Sequence, residues 1–592
     1  MTNTIIERVE KVRNWLSKND LDAFVIPHED EFLGEYLPEH NERLLWATGF
    51  TGSAGAAIIT RDKAAIFVDG RYTVQVTKQV PGSVFEYRHL IEEPLTHWIN
   101  SELASNSKIG FDPRMHSSKW LETTTQKLTN FELLPVDDNP VDKLWSERPS
   151  PTLSDVMLMD ISKVGVSSAE KRKLVAGLIE ENKSDAAVLT ELDSICWLLN
   201  IRGLDVSRLP VLLSHAIIYS DESVDFFIDP ARLPGNFIDH VGTGVRIYAP
   251  VELESVLKSL ENKSVVVDKS STNAWIFNTL ISSGVNVVDT MNPCALLKAQ
   301  KNEAEISGMK ACHIRDGAAM AKFLHWLDQQ VDQGIYHDEA VLSDTLESYR
   351  RQDDSLVDLS FDTISAASVN AAMCHYNHLN QPTPSTIQPD TMYLVDSGGQ
   401  YPDGTTDITR TVAIGKPSNE MKKQFTLVLK GHISLASAKF PSGTSGHQLD
   451  VLARQHLWRY GYDFDHGTGH GVGHFLNVHE GPQRIAKAPN SVALLPGMVL
   501  SNEPGYYREQ EFGIRIENLE LVVDVDTSGD MSVLGFESLT RCPIDKRCIE
   551  LSLLSEDEVE WLNNYHQTVW QEVSPLLESD VLGWLKEATA KI

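Results

Sequence analysis

The front half of the chain repeats itself, and that repetition limits the architectures open to it. Residues 7–26 run as a charged amphipathic stretch into the apolar LDAFVIP, and residues 170–190 run as another into SDAAVLT. About twenty residues beyond each strand comes LLWATGF (44–50) or ICWLLNIRG (195–203), and each copy then enters a hydrophobic strand, AAIFVDG or VDFFIDP. A helix feeding a buried strand, twice over, predicts two related α/β domains instead of one continuous core. At 592 residues the chain is in any case too long for a single core. Proline-marked breaks at RPSPT (Pro149, Pro151) and near Pro293 divide it into expected domains 1–150, 151–294 and 295–592.

The formal net charge of −31 argues against nucleic acid and against anionic membrane surfaces as partners. The opening MTNTIIERVEKVRNWL alternates charged and apolar residues like a surface helix and lacks the apolar block of a signal peptide. No run approaches the ~20 apolar residues of a membrane span. Six cysteines (Cys196, Cys294, Cys312, Cys374, Cys542, Cys548) are scattered without a C-x-x-C pair, which predicts reduced, mostly buried thiols and a cytoplasmic location.

The third segment opens with a helix expected over about Lys301–Leu327, where Met320, Phe323, Leu324 and Leu327 make one apolar stripe. After residue 390 the pattern changes to short strands (MYLVDSG, ITRTVAIG, MVLSNEP, LELVVDV), with helical patches at 419–437 and 447–460. Helices over a mainly antiparallel, curved sheet is the economical reading, giving an α/β (α+β) chain overall.

Chemistry concentrates in this last segment. Asp396 ends an apolar strand in VDSGGQYPDGTTDITR, and Asp407 follows eleven residues on, past a turn containing Pro402, Asp403 and Gly404. A hairpin of that length returns both carboxylates to one side of the sheet. Either aspartate alone would pass as turn chemistry. Glu503 (SNEPGYY) and Glu517 (GIRIENLEL) repeat the design. A glutamate between isoleucine and leucine is costly to bury unpaired, so Glu517 calls for a cation or, alternatively, for a buried ion pair with Arg515 two residues away.

HGTGHGVGH places His466, His470 and His474 among glycines, with His479 beyond. This is neither a dinucleotide fingerprint nor a zincin helix, which the glycines would destroy. One histidine as ligand with others as donors around it is the favoured reading. Asp396, Asp407, His470, Glu503 and Glu517 together match two divalent cations, Mn²⁺, Co²⁺ or Zn²⁺ before copper, about 4 Å apart and sharing a hydroxide.

The D…D…H…E…E order resembles the pita-bread metallopeptidases, and the detail resembles aminopeptidase P of the large, three-domain cytosolic kind. The likeness runs through TGSAGAAIIT, VDGRY, ICWLLNIRG, DGTTDITRT, GTGHGVGHFLNVHEGP, NEPGYY and EVEWLNNYHQTVW. It implies two creatinase-like N-terminal domains before a pita-bread catalytic domain. It also implies cleavage of an N-terminal residue from peptides with proline at the second position, two divalent ions (usually Mn²⁺), and a homodimer. Asp396 would hold one ion, Asp407 and Glu517 both, and His470 and Glu503 the other, with Glu503 also the proton shuttle. His375 (in CHYNH) and His479 would contact substrate and stabilise the intermediate. His466, His470 and Arg515 would line the substrate pocket, and Arg71 (DGRY) and Glu35 (GEY) would reach the substrate from the first domain.

Two other readings stand beside this one. A prolidase, restricted to dipeptides, resembles the catalytic segment but usually carries a single N-terminal domain. A non-catalytic peptide-binding module of the same fold would be degraded at the metal positions, all five of which are intact here.

Overall fold

The structure is a computed structural model describing residues 2–592. It divides into two compact units, one formed by the residues up to Met159 together with Val166–Ala295, the other by Asp160–Gly165 and Leu296–Ile592.

In the first unit α1 (Thr2–Lys18) buries Ile5, Val9, Val12 and Leu16, one stripe at helical spacing. It leads into β1 (Ala23–Pro27), every residue of which is buried. A six-stranded sheet grows around β1 from β2 (Ala56–Thr60), β3 (Ala64–Val68), β4 (Glu86–His89), β5 (Lys108–Phe111) and β6 (Glu132–Pro135), in the order β4-β3-β2-β1-β5-β6. The second copy starts with α2 (Ser168–Glu181), closed at its N-terminus by a Ser167/Glu170 capping box. Its strands are β7 (Ala186–Leu189), β8 (His215–Tyr219), β9 (Val224–Phe227), β10 (Val245–Tyr248), β11 (Ser264–Val267) and β12 (Asn286–Asp289), in the order β10-β9-β8-β7-β11-β12. Strand directions also correspond: the central strand pairs antiparallel with the next in sequence and parallel on its other side in both sheets. LLWATGF and ICWLLNIRG become short helices ended by left-handed residues, Gly49 (φ 84°) and Asn200 (φ 53°). The duplication read from sequence is thus a duplication of topology.

In the second unit α3 (Glu303–Asp332) is capped by Asn302 and buries Met309, Cys312, Met320, Phe323, Leu324 and Leu327. It runs five residues past the expected Leu327. Those residues carry no apolar stripe, and Asp328 is held instead by Arg547 at 3.0 Å and Trp584 Nε1 at 2.8 Å. α4 (Glu339–Arg350) follows. A three-stranded antiparallel sheet is built from β13 (Ile364–Ala367), β14 (Thr391–Ser397) and β15 (Ile408–Ile414). α5 (Asn419–Ala436) and α6 (Gly446–Trp458) come next, close to their expected limits.

β16 (Gly469–Gly471), β17 (Glu480–Ile485) and β18 (Val499–Asn502) begin a second antiparallel sheet. The hairpin of β19 (Gly505–Arg508) and β20 (Phe512–Arg515) interrupts it before β21 (Asn518–Val525) and β22 (Val533–Ser538) complete it, with Phe440–Pro441 at the edge. The terminal helices α7 (Glu556–Val573) and α8 (Ser579–Ala588) pack Leu562, Val569, Val573 and Leu585 into the main core of this unit. Trp561, Trp570 and Trp584 lie against that core. Among the described residues no helix is long and apolar enough to cross a membrane. Five of the six cysteines are buried and Cys374 is half-buried.

Candidate metal centre

Two strand pairs and one glycine-flanked strand deliver the five donors. In the β14–β15 pair Asp396 faces Thr409 and Ser397 faces Ile408. Asp407, two residues before Thr409, shares the face of Asp396 by the two-residue period of a strand. The β18–β21 ladder ends with Asn502 opposite Asn518, so Glu503 and Glu517 are the next residues beyond one end of it. The two sheets meet there: Glu517 N–H donates to Thr409 O at 3.2 Å, and Thr409 Oγ1 donates to Glu517 Oε2 at 2.7 Å. Glu503 N–H donates to Thr468 O at 2.9 Å.

His470 comes from β16, beside a glycine whose identity is forced. A Cβ on Gly469 would lie 1.9 Å from Ser501 O. The close approach lets His470 N–H donate to Ser501 Oγ at 2.9 Å. His470 Nδ1 lies 2.9 Å from Gly471 O, which can only accept, so the ring proton is on Nδ1 and Nε2 presents its lone pair. Nε2 is 3.5 Å from both Asp407 Oδ2 and Glu503 Oε1. Donor atoms of Asp407, His470 and Glu517 all lie within 4.8 Å of one another.

Arg515 is the cation that the sequence set against Glu517, and the structure pairs it elsewhere. Its Nη2 donates to Asp396 Oδ2 at 2.6 Å and its Nε to Thr409 Oγ1 at 3.0 Å. Strand alternation put Arg515 on the right face, but the nearer carboxylate comes from β14. Asp396 Oδ1 is buried with no hydrogen-bond donor. Arg515 Nη1 continues to Tyr507 Oη at 2.7 Å, and Tyr507 reaches His466 Nε2, also at 2.7 Å. His479 stands edge-on to His470, with ring centres 4.3 Å apart. His375 is half-buried in the irregular segment between β13 and β14. Glu35 and Arg71 belong to the first compact unit, where Arg71 Nη1 is 3.6 Å from Glu35 Oε1 and Nη2 is 2.8 Å from Asp69. Tyr507 and Thr409 escaped the sequence reading. Both lie inside quoted motifs, two residues from Gly505 and from Asp407, but neither is a metal-type residue.

Protein alone does not satisfy this cluster. Burial, then Asp396 and Glu503, pushes the Asp407 carboxyl well above the usual range; burial, then Asp407 and Asp396, does the same to Glu517. Burial raises Glu503 to about 7, with Arg515 opposing and Asp396 adding. Four carboxylates share one guanidinium, and one buried oxygen has no donor, so the site calls for positive charge. Hard oxygen donors with a single imidazole fit divalent ions of the Mn²⁺, Co²⁺ or Zn²⁺ type.

Family profiles agree with this layout. The Creatinase/Prolidase N-terminal domain matches twice, at residues 8–144 and 147–305. Metallopeptidase family M24 matches 307–524, and the C-terminal region of peptidase M24 matches 532–592. A probable Xaa-Pro aminopeptidase P of Laccaria bicolor is 40% identical over 98% of this chain and 92% of its own. The crystal structure of an X-prolyl aminopeptidase from Caenorhabditis elegans, described as a cytosolic enzyme with a di-nuclear active site, superposes with a TM-score of 0.95 at 35% identity, covering 100% of both chains. An Xaa-Pro dipeptidase from Bacillus anthracis shares the fold at a TM-score of 0.51 and 23% identity, covering 64% of this chain and 99% of its own. With both N-terminal domains, the catalytic domain and the C-terminal region all matched, the chain belongs to the aminopeptidase P family of M24 metallopeptidases.

Proposed function

We propose that the protein is a metalloaminopeptidase that removes the N-terminal residue of peptides whose second residue is proline. The observation that carries this reading is the close set of Asp407, His470 and Glu517, with Glu503 3.5 Å from His470, together with a likeness that extends through both N-terminal domains. Asp407 and Glu517 would hold both of two divalent ions, Mn²⁺ before Co²⁺ or Zn²⁺, with Asp396 on one, and His470 and Glu503 on the other. Bound there, the ions supply Lewis acidity and a nucleophile at neutral pH.

The chain's own groups do the rest. An X-Pro bond is a tertiary amide without an N–H, so a hydrogen bond that other peptides offer a protease is missing. His479, beside His470, and His375 would donate to the oxyanion that develops on the scissile carbonyl. Glu503 carries the proton from the attacking oxygen to the leaving proline nitrogen. The line Asp396–Arg515–Tyr507–His466 fixes the His466 ring at the edge of the centre. Glu35 and Arg71 are proposed as substrate contacts, so that Arg71→Ala raises KM. We further propose a cytoplasmic homodimer that acts on peptides and on neither nucleic acid nor membranes, with light scattering giving twice the chain mass.

The prolidase reading differs in substrate length, and the test is direct. Arg-Pro-Pro and Gly-Pro are offered to Mn²⁺-loaded protein while bound metal is quantified. Release of arginine with about two metals per chain supports the proposal. Activity confined to Gly-Pro overturns it, and a metal-free, inactive protein would mark a binding module.

A further inference from the structure

His375 sits in a segment of irregular chain between Ala367, the last residue of β13, and Thr391, the first of β14. Only short turns, Ser368–Ala372 and His378–Asn380, give it regular structure. A catalytic ring on such a segment needs something outside the segment to fix it.

A single buried carboxylate does so. Glu339, the first residue of α4, is fully buried. Among the described residues no lysine or arginine pairs with it; four hydrogen-bond donors do. At the entry to the segment, Ala367 N–H donates to Glu339 Oε1 at 2.8 Å and Asn370 Nδ2 donates to the same oxygen at 2.9 Å. In the middle, Tyr376 Oη donates to Oε2 at 2.6 Å. At the exit, Ser385 N–H donates to Oε2 at 2.9 Å, and Glu339 N–H returns a bond to Ser385 O at 3.0 Å. Asn370 Nδ2 also lies 3.0 Å from Tyr376 Oη, closing a ring of bonds around the carboxylate.

The middle bond bears on His375. Tyr376 is its immediate neighbour and is buried in a small cluster with Ala366, Ala371 and Leu394. Leu394 lies on β14 two residues before Asp396, so the tyrosine ring rests on the strand that carries a metal-type donor. Further along, a Cβ on Gly513 would lie 1.8 Å from Ala371 O, so the same segment also presses on β20, which ends at Arg515. With Tyr376 drawn inward to Glu339, the adjacent His375 stays half-buried at the surface of the segment.

We propose that Glu339 is a positioning residue for the reaction, acting through Tyr376 to fix His375 against the substrate. The proposal rests on the reading that His375 assists hydrolysis of the X-Pro bond. Four hydrogen bonds converging on one buried side chain hold the segment at its entry, middle and exit, and a small displacement of a catalytic group costs rate far more than it costs binding.

The test uses Glu339→Gln, Tyr376→Phe and His375→Ala, with the double variant Tyr376→Phe/His375→Ala, all in the metal-loaded full chain. Tyr376→Phe removes the hydroxyl's bonds to Glu339 and Asn370 and keeps the bonds to Glu339 at entry and exit, so it folds even where Glu339→Gln does not. We expect Tyr376→Phe to lower kcat on Arg-Pro-Pro about tenfold, with KM within about twofold and metal content unchanged. The double variant should be no slower than His375→Ala, because both changes act through one ring. If His375→Ala is slow while Tyr376→Phe runs at the wild-type rate, or if the two losses multiply, the proposal is overturned and the function stands. If His375→Ala retains full activity, the role of His375 fails and the proposal fails with it. Hydrogen exchange gives a readout that needs no turnover: amides of 368–384 should exchange faster in Tyr376→Phe while those of β14 and β15 do not. Unchanged exchange there also overturns the clamp.

Discussion

At Asp407 and Glu517, burial and neighbouring carboxylates both disfavour the charged form, and in each case the other of the pair or Asp396 contributes. A divalent ion converts that repulsion into attraction, so these two residues should matter most for loading. Asp407→Asn or Glu517→Gln should abolish turnover and lower bound metal below two per chain, as read by elemental analysis. His479 is different. It faces the His470 ring but contributes no donor to the close Asp407–His470–Glu517 set. His479→Ala should cut kcat by about 10²-fold, the scale for losing one oxyanion donor, and leave metal content intact. Metal lost with His479 would show that the histidine serves as a ligand.

At the scale of elements, the ends of the strands place the donors and the strand interiors set the cost of doing so. Gly469 in β16 touches the backbone of β18, so Gly469→Ala should prise the two strands apart. The expected signs are loss of His470 from the metal set and a lower Tm. One ladder down, Glu520 of β21 is fully buried opposite Leu500, its Oε2 accepting from Ser538 Oγ at 2.7 Å. Burial raises its carboxyl from an ordinary value of 4.5 to about 7, with Ser538 and Asn502 opposing. An acid raised on folding loses its contribution as pH climbs from the unfolded value through the folded one, here between about 4.5 and 7. The penalty above that window is about 3 kcal/mol at 1.36 kcal/mol per unit. Glu520→Gln should therefore be more stable than the wild type at pH 8, with the advantage vanishing near pH 4.5; an advantage equal at both pH values would count against a buried charge.

These elements also show what sequence could and could not reveal. The residue types of the candidate site were legible because aspartate, glutamate and histidine at apolar strand ends are costly without a ligand, and five of them recur. Several strand and helix positions followed from periodicity; the last turn of α3, held by polar contacts, and α4 did not. Pairing was not legible. Arg515 meets Asp396 across 119 positions of sequence, and Glu339 gathers donors from 28 to 46 residues away, distances set by register and chain path and not by local pattern.

On the scale of the whole molecule, the metal centre belongs to one compact unit and the duplicated sheets to the other, each with its own hydrophobic core. A ligand stabilises only the folded unit that binds it, by an amount that grows with the ratio of its free concentration to its Kd. Chains built from separate compact units commonly unfold in more than one step. Calorimetry of the metal-loaded protein should therefore resolve two transitions. Dialysis against a chelator should move one of them down by several degrees, because the site then keeps its crowded carboxylates without a counter-charge. The transition of the N-terminal unit should stay where it was, and adding Mn²⁺ back should restore the other. Two transitions that both follow the metal would mean that the duplicated domains owe their stability to the loaded centre, and a single transition insensitive to chelation would leave the five donors without the ions their chemistry requires.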